Sequence, residues 1–117
     1  MTDDAQTLVH LCGARDWSEA QRGGRVDPDP EVGFVHLSTP QQVHLPANRF
    51  YRGRDDVLLL HIAADRVDAP LRWEPGTDSD PDGMTFPHLY GPLPVAAVVA
   101  VTEYRPDADG VFGAISR

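Results

Sequence analysis

Apolar and polar positions alternate through several short stretches of this chain. A period of two is the pattern of a strand with one buried face. TLVHL (7–11) is β-branched and apolar and predicts the first strand, and GFVHL (33–37) predicts a second. LRWE (71–74) predicts a short strand, and FPHLY (86–90) a short extended piece. VLLLHI (57–62) is apolar without interruption, as in a strand covered on both faces. VAAVVAVTEY (95–104) predicts the longest strand.

Helical spacing occurs in ARDWSEAQRGG (14–24), where Trp17, Ala20 and Gln21 share a face and Gly23-Gly24 ends the element. Thr39 before Pro40 reads as an N-cap and first helical position. Pro46 restarts a helix, so PANRFYRG (46–53) forms a second helical piece ending at Gly53. DPDPE (27–31) and PGTDSDPDG (75–83) read as loops, and residues 105–117 as a surface tail that frays. The expected fold is a single α+β domain over 1–117 with its core at about 7–104. Strands dominate, and helical pieces follow the first two.

The alternation also sorts the polar side chains. Phe34, His36 and Ser38 share one strand face; so do Phe86, His88 and Tyr90; so do Arg72 and Glu74; His10 lies with Leu8 and Cys12. A buried polar group without a partner costs about 1–3 kcal/mol, and convergence is the cheapest way to satisfy several at once. Each residue also has a plain structural explanation. A strand histidine can be satisfied by backbone, Tyr90 can pack the turn before Gly91-Pro92, and Glu74 can pair with Arg72. Taken together the four segments favour a shared cleft. In it FPHLYGPL, stiffened by Pro87 and Pro92, faces GFVHLST as the opposite wall.

Composition narrows the partners. The 117 residues carry a formal charge of −8, with a pI of about 4.8, and 41% are apolar. That balance argues against nucleic acid and against anionic membrane surfaces, both of which need a basic face. A lone Cys12 excludes an internal disulfide and a cysteine-only zinc site. The start MTDDAQTLVH lacks the pattern of a signal peptide, and no apolar run reaches the ~20 residues of a membrane span. A cytoplasmic protein with a small-molecule ligand is expected, and no feature sets an oligomeric state.

G-x-S-x-G, G-x-G-x-x-G and G-x-x-x-x-G-K-[ST] are absent. DSDPDG (78–83) opens like a calcium loop, but Leu89 stands where the closing glutamate belongs, so a solvated acidic turn is the better reading. His10, His36, His88 and Glu74 are metal-ligand types without the close spacing of a zinc motif; a His/Glu metal site is kept as an alternative. Arg49, Arg52 and Arg54 read equally as charge at a helix C-terminus or as a phosphate clamp.

GFVHLST followed by Gln41-Gln42, then VLLLHI, LRWE and FPHLYGPL in this order, resemble the small bacterial DUF952 family from about Val9 to Tyr104. That family's fold is similar to the ADP-ribosyltransferase fold, a split, mainly antiparallel sheet with short helices that grips NAD. The resemblance implies NAD as ligand and His10 as the first-strand residue holding the nicotinamide ribose. It places His36 and Ser38 on the next core strand, with Glu74, His88 and Tyr90 across the cleft. The candidate catalytic residues are then Glu74, His36 and His88; the candidate cofactor contacts are His10, Ser38, Arg49, Arg72 and Tyr90. Breaking the nicotinamide–ribose bond passes through an oxocarbenium-like state. Glu74 would stabilise that charge, and Tyr90 would stack on nicotinamide. RNA 2′-phosphotransferases share the fold, but the acidic charge argues against an RNA substrate. A non-catalytic nucleotide-binding protein is the other alternative.

Overall fold

The computed structural model describes residues 7–77 and 80–115. In chain order their elements begin β1 (Thr7–Gly13), α1 (Ala14–Gly23), β2 (Arg25–Val26), β3 (Val35–His36) and α2 (His44–Phe50). They continue β4 (Val57–Ala63), β5 (Leu71–Pro75), β6 (Thr85–Leu89), β7 (Leu93–Pro94) and β8 (Val98–Glu103). The uninterrupted apolar run VLLLHI lies where it must, in the middle strand of an antiparallel sheet ordered β1-β4-β8. Val9, Leu11, Val57 and Leu59 pack on one side of that sheet, and Leu8 and Ile62 on the other. α1 ends at Gly24, whose φ of 85° only glycine adopts freely and whose N–H bonds the Ala20 carbonyl at 2.7 Å.

A second antiparallel sheet, ordered β3-β6-β5, carries Pro87 in its middle strand, where proline is normally excluded. The hydrogen bonds explain the tolerance. Pro87 accepts from the Leu37 N–H at 3.1 Å but cannot return a bond, so the β3–β6 ladder stops there. The next residue, Ser38, pairs instead with β1: the Val9 and Ser38 amides each bond the other's carbonyl, at 2.8 and 2.9 Å. One chain segment thus belongs to both sheets in succession, and that exchange divides them. β2 and β7, which alternation did not reveal, form a separate two-residue ladder.

Three expected boundaries shift. The Thr39-Pro40 segment makes one turn, with the Gln42 N–H bonded to the Thr39 carbonyl and the Thr39 N–H bonded to Gln42 Oε1, both at 3.1 Å. This is the reciprocal arm of a capping box. α2 proper begins at His44 and ends at Phe50 rather than Gly53. Pro46 falls within its first turn, where amides have no intrahelical partner to lose. The longest-strand expectation fails, because Val95–Ala97 form a 3-10 turn that gives Ala97 to the core and leaves β8 with six residues against seven in β1 and β4. The strand that follows, β8, is an edge, and its Val99 and Val101 lie open to solvent.

The tail is no loose appendage. Phe112 is 1% exposed and joins Val9, Val43, Leu59 and Tyr104 in the first core. Asn48 grips its backbone twice, donating to the Phe112 carbonyl at 2.9 Å and accepting its N–H at 2.7 Å. The Tyr104 hydroxyl donates to the Gly113 carbonyl at 2.6 Å. Phe112→Ala is expected to destabilise the fold by about 3–5 kcal/mol. Denaturant unfolding measures it, and a loss typical of a surface residue would contradict the tail's part in the core.

Candidate functional site

One face of the β3-β6-β5 sheet collects the side chains that alternation had grouped. His36 stands directly opposite His88 in the register, and Arg72 opposite His88 on the other side. The Leu37–Pro87 pair next door carries the ladder bond, so His36 and His88 form the close, non-hydrogen-bonded kind of pair. Their ring centroids are 5.9 Å apart. Phe34 stacks on His88 at 3.9 Å and 13°, and meets His36 edge-on at 4.8 Å. The Arg72 guanidinium lies 5.4 Å from the centre of the Tyr90 ring.

Glu74 organises this face. Its Oε1 accepts the His88 Nδ1–H and the Tyr90 hydroxyl, each at 2.7 Å. An ionised carboxylate only accepts, so Nδ1 carries a proton, and in the neutral imidazole Nε2 is left as the acceptor. These two bonds, that from His88 first, hold the Glu74 carboxyl below its ordinary range. The bond to Glu74 correspondingly raises the Tyr90 phenol. Burial, and then the neighbouring His88, lower His36, although Asp29 Oδ2 at 3.6 Å from its Nε2 works in the other direction.

Between this face and α2 lies a pocket of about 180 Å³. His36, Ser38, His88 and Arg49 contribute polar groups to its wall, and Phe34, Phe50 and Phe86 line it with rings. Glu74 and Tyr90 are absent from that wall: Glu74 holds His88 through Nδ1, and Tyr90 holds Glu74. Arg49 pairs with Asp80, which is buried and also accepts the Thr77 N–H at 2.8 Å. Asp80 is therefore no part of a solvated acidic turn; Asp78 and Ser79 lie outside the described residues. Gly76 makes this approach possible, since a Cβ there would come within 2.2 Å of Asp80 Oδ2.

Some expected neighbours are separated. GFVHLST and FPHLYGPL are adjacent strands of one sheet, not opposite walls, because His36 and His88 share a register position. His10 does not join the pocket. It points from β1 to the back of β3, where its Nδ1 donates to the His36 carbonyl at 2.7 Å, and it lines a different hollow of about 400 Å³ with Cys12, Asp16 and Tyr51. The arginine cluster also disperses, with Arg54 held by Asp56 in two bonds of 2.7 and 2.9 Å. Among the described residues, no three His, Cys, Asp or Glu side chains are placed to share a metal ion.

Three contributors escaped the sequence reading: Asp29, Asp80 and Phe50. For Phe50 a signal existed, since Pro46, Arg49 and Phe50 stand at helical i, i+3, i+4 spacing and all reach the pocket. The two aspartates arrive from loops whose paths no periodicity describes.

Fold and face together define a small α+β domain of mainly antiparallel sheets, with a carboxylate-held histidine on the wall of a narrow aromatic pocket. Residues 11–101 match the family described as "Protein of unknown function (DUF952)", and the chain belongs to that family. It is similar to protein CC0527 from Caulobacter crescentus, with 30% sequence identity. The X-ray structure of that protein matches over 92% of this chain and 93% of the other with a TM-score of 0.78. Its solution NMR structure matches over 91% and 90% with a TM-score of 0.73. No curated protein is detectably similar in sequence. No helix among the described residues is long and apolar enough to cross a membrane.

The titrating groups set a direction for acid stability. Burial lowers His10 and His36 below 6.5, and hydrogen bonds lower Glu74 below 4.5, so at each step the unfolded chain takes up protons first. Stability is therefore fully present above 6.5 and falls on acidification, first from the histidines and again below 4.5 from Glu74. Urea midpoints measured across this range should decline, and the gap between wild type and Glu74→Gln should narrow on the lower limb. A gap that widens there would contradict the assignment to Glu74.

Proposed function

We propose that this protein binds a small ligand in the pocket lined by Phe34, Phe50 and Phe86 and acts on it with His88 as acid–base group. The observation that carries the reading is the single Glu74 oxygen that takes both the His88 Nδ1–H and the Tyr90 hydroxyl. A carboxylate on one imidazole nitrogen fixes the tautomer and steadies the imidazolium when the other nitrogen accepts a proton. Nε2 makes no hydrogen bond among the described residues, and His88 belongs to the pocket wall.

NAD is the substrate we propose, on the strength of the family resemblance and of the pocket's size and aromatic lining. A cavity of about 150 Å³ can hold one benzene ring. The pocket here, at about 180 Å³, has room for the nicotinamide ring, with the remainder of the dinucleotide outside it. In the reaction the nicotinamide–ribose bond breaks and its electron pair leaves with nicotinamide, while positive charge develops on the ribose. A water or hydroxyl acceptor attacks the ribose carbon and gives its proton to His88 Nε2. Ionised Glu74 stabilises the resulting imidazolium, and a neutral His36 adds no opposing charge. Ser38 and Arg49 line the same wall and would contact the ligand's polar groups. Glu74 here is a positioning residue; the Tyr90 hydroxyl holds it in turn, and Arg72 lies over the Tyr90 ring. His10 supports the His36 strand.

Incubating the pure protein with NAD and following free nicotinamide tests this. Turnover is expected, falling about 100-fold or more in His88→Gln. Glu74→Gln should lower kcat with little change in KM, and shift the pH profile of kcat. The absence of both nicotinamide release and an NAD-induced rise in melting temperature would overturn the reading. A melting shift without release would leave a non-catalytic nucleotide-binding protein.

A further inference from the structure

Phe50 is 62% exposed, more than any other large apolar side chain among the described residues, yet it lines the pocket. It is the last residue of α2, and the Tyr51 N–H closes that helix on the Ala47 carbonyl at 2.9 Å. Its neighbour Arg49 places a guanidinium 5.5 Å from the centre of its ring and is tied to Asp80 across the pocket's edge. The ring therefore leans on a cation whose own position is fixed. Phe86, by contrast, is buried within the pocket wall, where packing alone accounts for it. Core packing does not account for Phe50. A lone exposed phenylalanine is unremarkable on a protein surface; this one shares the rim of a ring-sized, ring-lined pocket with an anchored arginine.

We infer that Phe50 is the outer jaw of a clamp for a planar heteroaromatic ring, such as a nicotinamide or a nucleobase, which stacks on its open side. The inference rests on the pocket being the ligand site proposed above, but it names the ligand by ring class and needs no chemistry from His88. Ring-on-aromatic stacking tolerates different bases, because each presents a π-face. Phe50 would thus set a preference for flat rings over sugars, and Arg49 would orient the jaw.

The experiment measures binding of nicotinamide, adenine and ribose 5-phosphate to wild type and to Phe50→Ala, Phe50→Leu and Phe50→Trp. The first two probes should bind the wild type and weaken about 5- to 100-fold in Phe50→Ala. Phe50→Leu should weaken them similarly, since it keeps apolar bulk but lacks a π-face. Phe50→Trp should retain them, with its fluorescence quenched on binding. Melting temperatures should stay near wild type, given the exposure of the site. Equal binding in wild type and Phe50→Ala, or no binding of either ring probe, would overturn the clamp. Phe50-dependent ring binding without NAD turnover would retire the role of His88 and keep the clamp. NAD turnover with an unchanged KM in Phe50→Ala would do the reverse.

Discussion

A missing amide hydrogen governs the architecture. Because Pro87 can accept but not donate, the ladder between β3 and β6 closes after His36, and the chain is released to pair with β1 at Ser38. An ordinary residue at 87 would allow the ladder to continue, and the two sheets would compete for the same segment. The proline decides that competition locally. The Leu37–Pro87 bond marks the hydrogen-bonded pair, so the adjacent His36–His88 pair is the close kind, with its two imidazoles side by side.

The polar face is built on that register. His10 holds the back of the strand through the His36 carbonyl, while Glu74 reaches across from β5 to hold His88 and Tyr90. Polar groups of three strands are thus satisfied mainly by one another, which keeps the cluster rigid. The pocket takes its other wall from α2, whose start is tied to the same sheet by Gln42 donating to the Thr85 carbonyl at 3.1 Å. Val43 and Ala47 are buried in the first core, so packing there fixes the helix as well and with it the pocket between helix and sheet.

Much of this was legible in the sequence. Period-two alternation placed Phe34, His36, Phe86, His88, Tyr90, Arg72 and Glu74 on shared faces, and the register confirms those groupings. The order of the strands within each sheet was not legible, because alternation says which way a side chain points and not which strand lies beside it. For that reason two neighbouring strands read as facing walls. His10 was misplaced for a related cause: its face was right, but the sheet to which that face belonged was unknown. The tail misled because GVFG looks weak in isolation. Phe112 gains its place from Asn48, sixty-four residues away in sequence, and no local pattern reports such a partner.

The outer edge of β8 gives the net charge a purpose beyond partner choice. Among the described residues VVAV has no strand on its outer side, and Val99 and Val101 lie open to water, a template for association with other strands. No proline or lysine interrupts it. Exposed Glu103 at the end of the strand and mutual repulsion between molecules that each carry a formal charge of −8 stand against self-association. That protection weakens as the pH approaches the pI of about 4.8, so colloidal behaviour and acid stability decline together in this protein.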